Sequence, residues 1–380
     1  MKVLFIGDAI IQSGFSIVTH NVCNELCTKC DLEVFGIRYD GTTKNPYPYF
    51  IYPANVGGDI YSFDLAHKII LKERPDVVVV FNDDNIVADY AYRLTRSGIP
   101  IIPMFPINLL PVHKERMLSF SGVDLNIKHL ITYTEFSRDR IVEINPNLDI
   151  TAVYHGVHEG VFFPIKNAKS HLGLDGKFVV GQVNTNTYRK RLDLFLLGFA
   201  KFAEGKSDVV CLIHSTNDDM AYDIPSIAMD LNIEDKVILS TNSVDFEKMN
   251  LLYNVMDLNC NTSIGEGFGL SLIEGAACGV PALCPEHGNL VDIWSSGADF
   301  IEIERQEYVA GTRFIGGVVS VDDLATKFQR FYKDKDYLMH KSQEAYNHSK
   351  SDKFLWKAVA DKIYKVILQA NKKKISYISS

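Results

Sequence analysis

No stretch of this 380-residue chain approaches the roughly 18–20 consecutive apolar residues that span a bilayer. The opening MKVLFIGDAII resembles a leader, but Asp8 interrupts it and no small-residue cleavage pattern follows, so it reads as a buried first strand. Positive charge is in deficit. Lys and Arg total 39 against 47 Asp and Glu, a net charge of −8, which argues against nucleic acid as a partner. Acidic residues also outnumber basic ones over residues 1–165, so no basic excess draws that half to anionic lipid. Short-period repeats and low-complexity tracts are missing, which excludes a solenoid. Seven cysteines, an odd number scattered through apolar segments, fit reduced thiols in a cytoplasmic setting.

What is present is the balance of a globular protein with large cores. Hydrophobic residues make up 47% and charged residues 23%, in a length sufficient for two domains. Strands are predicted at Lys2–Gly7, Glu33–Arg38, Asp76–Phe81, Ile99–Met104, His129–Thr134 and Thr151–Tyr154, with a short one at Tyr49–Tyr52. Helical patterns separate them, and Pro103–Val112 is a proline-rich loop. The alternation restarts at Lys177–Val183 and continues through Asp208–His214, a helix over Asp218–Leu231, Lys236–Ser240 and Met256–Cys260. Pro281–Cys284, Gly288–Ser296 and Ala298–Ile303 extend this second sheet, and from Val321 the chain is mostly helical. Continuous apolar runs such as Val77–Phe81 mark strands covered on both faces, hence doubly wound parallel α/β sheets. The polar segment Ile165–Asp175 is the expected joint, giving domains 1–165 and 166–350, with a C-terminal helix and polar tail (351–380) free to pack back on the first.

The chain is organised around Asn261–Leu290, NTSIGEGFGLSLIEGAACGVPALCPEHGNL. Gly265, Gly267 and Gly269 form a turn between a buried strand and a helix in which Leu270, Ile273, Ala277 and Cys278 share a face. Such a turn presents bare backbone N–H groups to an anion. Glu266 and Glu274 flank it, too few and too far apart for a metal cage, and suit a ligand with phosphates in the middle and hydroxyls at both ends. His20, Cys23, Cys27 and Cys30 share a helical face, but ten residues of helix spread over about 15 Å, too far for one zinc ion. Asp334-Lys335-Asp336 spells an acidic triplet of metal-dependent transferases, yet it reads as a solvated helix end. No metal and no cofactor are expected.

Glu266-Gly-Phe-Gly-Leu-Ser-Leu-Ile-Glu274, followed by Gly-Ala-Ala-Cys-Gly-Val-Pro, resembles the signature of the retaining glycosyltransferases of family four, whose core is two glutamates separated by seven residues. Supporting pieces stand in the family's order: a glycine loop after the first strand, ThrGluPheSer at 134–137, HisGlyVal at 155–157 with Phe163-Pro164, and TyrAsnValMetAsp at 253–257. The resemblance implies the GT-B fold, two Rossmann-like domains facing each other across a cleft. It also implies retaining, metal-independent transfer of a sugar, expected to be a hexose, from a nucleoside-diphosphate sugar to a hydroxyl on a glycan, protein glycan or lipid-linked sugar.

By that resemblance Glu274 holds the ribose hydroxyls and Glu266 lies by the donor sugar. Backbone groups of Gly267, Phe268, Gly269 and Leu270 meet sugar or phosphate, and Gly14 nears the donor phosphate. The family's Arg position is occupied here by Gln182 or Asn184, which leaves Arg189 and Lys190 as the candidates for the diphosphate. The loop that often carries a His or Asp beside the reacting sugar offers Asn108 and His113 on the acceptor side. His214 and Asn242 are candidates near the base. Two other readings stay open: a nucleotide-sugar epimerase of the same fold, and a catalytically silent nucleotide-sugar-binding module. Donor base, acceptor and oligomeric state are not legible.

Overall fold

The computed structural model describes residues 1–122, 126–127, 129–215 and 221–378. They form two compact units. The first comprises residues 1–107, 112–156 and 352–380, and the second 108–111 and 157–351. The expected joint at 165–175 therefore lies inside the second unit, where Ala168–Leu172 is a turn of 3₁₀ helix.

In the first unit, seven strands run β1 (Lys2–Asp8), β2 (Asp31–Ile37), β3 (Phe50–Pro53), β4 (Val77–Phe81), β5 (Ile101–Met104), β6 (Leu130–Thr132) and β7 (Ile150–Ala152). They pair in the order β3-β2-β1-β4-β5-β6-β7, all parallel. Val77–Phe81 is wholly buried, as its unbroken apolar run requires of a strand covered on both faces. The family-like ThrGluPheSer stretch is a helix cap. Thr134 is extended, and its hydroxyl accepts from the N–H of Ser137 at 3.0 Å to start helix Glu135–Val142. Helix Trp356–Ile378 belongs to this unit; Lys29 pairs with its Asp361 at 2.7 Å.

The His20–Cys30 face is structural. The Ile10 N–H donates to His20 Nε2 at 2.9 Å, which places the ring proton on Nδ1, directed at the Tyr49 hydroxyl 2.9 Å away. The ring also stacks on Tyr47, and burial lowers its pKa to about 4.

The second unit has β8 (Phe178–Val183), β9 (Val209–His214), β10 (Val237–Ser240), β11 (Leu258–Cys260), β12 (Ala282–Pro285) and β13 (Ala298–Ile301), parallel in the order β10-β9-β8-β11-β12-β13. Two expectations are corrected here. Gly288–Ser296 does not extend the sheet; its centre, Asn289–Ile293, is helical. Ala298–Ile303 ends at Ile301, and Ile303 opens an antiparallel hairpin of β14 (Ile303–Tyr308) and β15 (Ile315–Val319). The helix expected over Asp218–Leu231 occupies Ile224–Asp230, and residues 218–220 lie outside the described ones. Asp334 caps helix Lys335–Ser349 by accepting from the N–H of Tyr337 at 2.9 Å, so the acidic triplet is a helix start. Among the described residues no helix is long and apolar enough to cross a membrane.

HisGlyVal has a packing origin. Burial keeps His155 neutral, with a pKa of about 3, and its ring lies 4.1 Å from that of Tyr133. A Cβ on Gly156 would stand 2.6 Å from the Trp356 ring and 2.8 Å from its backbone nitrogen. Gly156→Ala is therefore expected to cost about 1–3 kcal/mol through overpacking, measured by urea denaturation. An unchanged midpoint would remove this contact as the reason for the glycine.

Candidate functional site

Strand order decides where the second unit can bind a ligand. From β8 the chain continues to β9 on one side, while β11, reached later, lies on the other. The carboxyl ends of β8 and β11 are therefore a topological switch point, the place where open α/β sheets bind ligands. After β8 comes the 3₁₀ turn Tyr188–Lys190, and after β11 the glycine turn leading to helix Leu270–Ala277. The two segments, some 76 residues apart in the sequence, are thus brought together.

Lys190 Nζ lies 2.5 Å from Glu266 Oε2, Arg189 Nη1 lies 3.4 Å from the same oxygen, and the Ser263 hydroxyl donates to it at 3.2 Å. Burial alone would raise the Glu266 pKa, but the Lys190 and Arg189 charges bring it down to about 2. Burial likewise pulls Lys190 to about 8, only partly offset by its attraction to Glu266. Arg191 is turned away, with Nη2 2.9 Å from Asp193 and Nη1 2.7 Å from Glu307. The run of three cations is therefore divided, two towards Glu266 and one towards β14.

Buried polar groups fix that turn. The Thr262 hydroxyl donates to the carbonyls of Lys190 and Arg191 at 3.1 and 2.9 Å, and Gln182 Nε2 reaches the Lys190 carbonyl at 3.4 Å. Gln182, at the position where the family's arginine was expected, is fully buried and serves this scaffold. Arg189 also donates to the Gly265 carbonyl at 2.6 Å and accepts from the Ile264 N–H at 2.8 Å. From the other side the Gly317 N–H donates to the Ile264 carbonyl at 3.0 Å. The hairpin thus clasps the glycine turn. Gly265 has no room for a side chain, since a Cβ would meet the Asn108 carbonyl oxygen at 2.5 Å. Gly269 sits at φ +82°, a left-handed position that also leaves the helix without a side-chain cap. As at any helix start the first N–H groups lack i−4 acceptors, although that of Leu272 donates to the Gly269 carbonyl at 3.0 Å, and the positive end of the helix dipole points into the loop.

Glu274 is buried inside that helix, not exposed along it. The Tyr253 hydroxyl donates to its Oε2 at 2.6 Å. Burial raises its pKa to about 7, against the Tyr253 hydrogen bond.

The other sequence candidates are dispersed. The Asn184 N–H donates to the His214 carbonyl at 3.1 Å, and His214 Nδ1 lies 2.9 Å from the Ser240 hydroxyl, so these residues gather at the ends of β8, β9 and β10. There Asn184 Nδ2 and the Ser215 hydroxyl are buried without a hydrogen-bond partner among the described residues. Ser215 escaped sequence reading, as did Ser263 and Tyr253; the last stood within a quoted motif but was given no role. Asn242 is exposed beyond β10. Asn108 belongs to the second unit rather than the first, because residues 108–111 join the hairpin, where the Ile315 N–H donates to the Leu110 carbonyl at 2.6 Å. His113 remains in the first unit, 3.2 Å from Glu115, and Gly14 is an exposed start to helix Gly14–Leu26.

Residues 165–348 match the family described as glycosyl transferases group 1. Over 156 residues the chain is 30% identical to mannosylfructose-phosphate synthase of Agrobacterium fabrum, a match covering 37% of this chain and 34% of that protein. Over 312 residues it is 26% identical to N-acetyl-alpha-D-glucosaminyl L-malate synthase of Bacillus anthracis, covering 77% and 76%. The matches thus span about a third of the first relative's length and three quarters of the second's. The solved structure of Anabaena HepE in complex with UDP and glucose shares the fold, with a TM-score of 0.75 over 97% of this chain and 100% of that one, at 14% identity.

Two stability experiments check the site's electrostatics. Lys190→Met is expected to cost on the order of 3 kcal/mol, at the low end for a broken buried pair because Arg189 remains within reach; urea denaturation measures it. The raised pKa of Glu274 means the native state holds its proton more tightly than the unfolded chain, so stability falls as pH rises from about 4.5 through about 7. Wild type should therefore lose stability relative to Glu274→Gln between pH 5 and 8. Parallel curves would show that Glu274 does not titrate there.

Proposed function

We propose that this chain of GT-B fold is a glycosyltransferase that moves a sugar from a nucleoside-diphosphate sugar to a hydroxyl acceptor with retention of configuration. One observation carries this reading: two cations converge on a buried carboxylate at the foot of an uncapped helix N-terminus. That is a site for a doubly charged leaving group. Lys190 and Arg189 stabilise the diphosphate as its charge grows, without a resident metal or cofactor. The helix N–H groups hold its oxygens. Glu274 accepts hydrogen bonds from the ribose hydroxyls, and Asn184 Nδ2 and the Ser215 hydroxyl, which have no partner among the described residues, meet the base. HepE, of the same fold, is known in complex with UDP, which makes uridine donors the first to test.

Glu266 has two roles in sequence. Before the donor arrives it neutralises Lys190 and Arg189. The incoming diphosphate competes for both cations, and the released carboxylate then faces the sugar, where it holds a hydroxyl and offsets positive charge at the reacting carbon. The acceptor's proton leaves on the departing phosphate, so no separate general base is required.

A thermal-shift screen of common nucleotide sugars identifies the donor, since a ligand that binds only the folded state raises Tm. With that donor, Glu274→Ala is expected to weaken binding roughly ten- to a hundredfold, the loss of one charge-assisted hydrogen bond. Calorimetry on a folded variant with wild-type affinity would remove Glu274 from the site. Glu266→Gln should bind the nucleoside diphosphate at least as tightly as wild type while transfer collapses. Donor incubated alone should hydrolyse slowly; an epimerised sugar would point to the isomerase instead.

A further inference from the structure

Tyr253 is fully buried, yet among the described residues its hydroxyl makes a single hydrogen bond, to Glu274 Oε2. Phenylalanine would fill the same space without a polar group to satisfy. The tyrosine is also held more firmly than packing alone needs. Phe162 meets its ring edge-on, with centroids 5.7 Å apart. Helix Phe246–Asn254, which carries it, is stapled to the same segment: Asn250 Oδ1 accepts from the Phe163 N–H at 3.2 Å, and Asn254 Oδ1 accepts from the Ile165 N–H at 2.6 Å. Asn254 Nδ2 returns a bond to the Phe163 carbonyl at 3.0 Å.

We propose that Tyr253 is the positioning residue for nucleotide binding: by donating to Oε2 it fixes the plane of the Glu274 carboxylate and leaves Oε1 to receive the ribose hydroxyls. Oε1 makes no hydrogen bond among the described residues. The inference rests on the reading of Glu274 given above.

Electrostatics support the geometry. Burial favours the neutral form of Glu274, and no cation pairs with it among the described residues. The titratable groups that face it are Tyr253, from helix Phe246–Asn254, and Cys278, at the end of its own helix. Burial holds the Cys278 thiol protonated, and it donates to Asn250 Oδ1 at 3.0 Å, so it does nothing to favour a charged Glu274. The Tyr253 hydroxyl is the group that does. Without it the carboxyl would hold its proton to higher pH, and a protonated carboxyl receives one hydroxyl bond less well.

The test uses the full chain and whichever of UDP, GDP and ADP wild type binds most tightly, alongside its 2′,3′-dideoxy form, titrated by calorimetry from pH 6 to 9. Tyr253→Phe is expected to raise Kd roughly three- to tenfold at pH 7, with the gap narrowing by pH 9, where Glu274 is ionised in both proteins. Binding of the dideoxy nucleotide should be the same in both. Glu274→Gln should lose the part of the pH dependence centred near 7 and keep only the part near 8 that Lys190 contributes in all variants. Equal affinities at every pH, or equal losses for the ribose and dideoxy forms, would overturn the role of Tyr253 while leaving Glu274 in place. If Glu274→Gln and Glu274→Ala both bind like wild type, or none of the three nucleotides binds, the reading of Glu274 falls and takes this inference with it. Melting curves distinguish a folding defect, which would weaken both nucleotide forms alike.

Discussion

The buried ion pair between Lys190 and Glu266 is the constraint around which the loops after β8 and β11 are arranged. Taking both charges out of water costs several kcal/mol per ion, and the attraction between them offsets this only in good geometry. That geometry is built at length. Thr262 and Gln182 hold the Lys190 carbonyl, Arg189 brackets Gly265, and the hairpin grips Ile264 from the opposite side. A protein seeking stability alone would place apolar residues here. A buried charge cluster at a topological switch point is the feature on which the proposed ligand site rests.

Much of this was legible in the sequence, for identifiable reasons. Unbroken runs such as Val77–Phe81 show a strand buried on both faces, and alternation with helices then dictates parallel sheets. The glycine turn stood out as a strand-to-helix anion loop, Glu266 and Glu274 through the resemblance to the family's signature, and Arg189 and Lys190 as the cations next to the position where the family's arginine was expected. What could not be read was proximity. The two cations meet Glu266 because β8 and β11 are neighbours, a fact of strand order that spacing along the chain does not contain. Gln182, one of the two residues at the expected arginine position, proved to be scaffold, since its partner Thr262 stands 80 residues away along the chain.

The failures share a cause. Helix Leu270–Ala277 carries a glutamate and reads as amphipathic, but it is buried almost all round, and the group that bonds Glu274, Tyr253, stands on another helix. The β14–β15 hairpin has a charged, exposed first strand, IERQEY, without the apolar alternation that signals a core strand, so its role in clasping the glycine turn was invisible. Asn108–Pro111 was assigned to the first domain by position; its hydrogen bond to Ile315 places it in the second. In each case a long-range partner decided the outcome over local pattern.

One helix carries both the anion-facing end and the buried carboxylate. Leu270 and Glu274 are four residues apart, a rise of about 6 Å along a rigid axis. Under the proposed assignment, this helix is a ruler laid along the nucleotide, with phosphate at one end and ribose at a fixed mark. A monophosphate would leave one end of the ruler unmatched, and a triphosphate would overrun it. The length of the phosphate chain would then be read by backbone geometry, leaving the side chains around it to choose the base and the sugar.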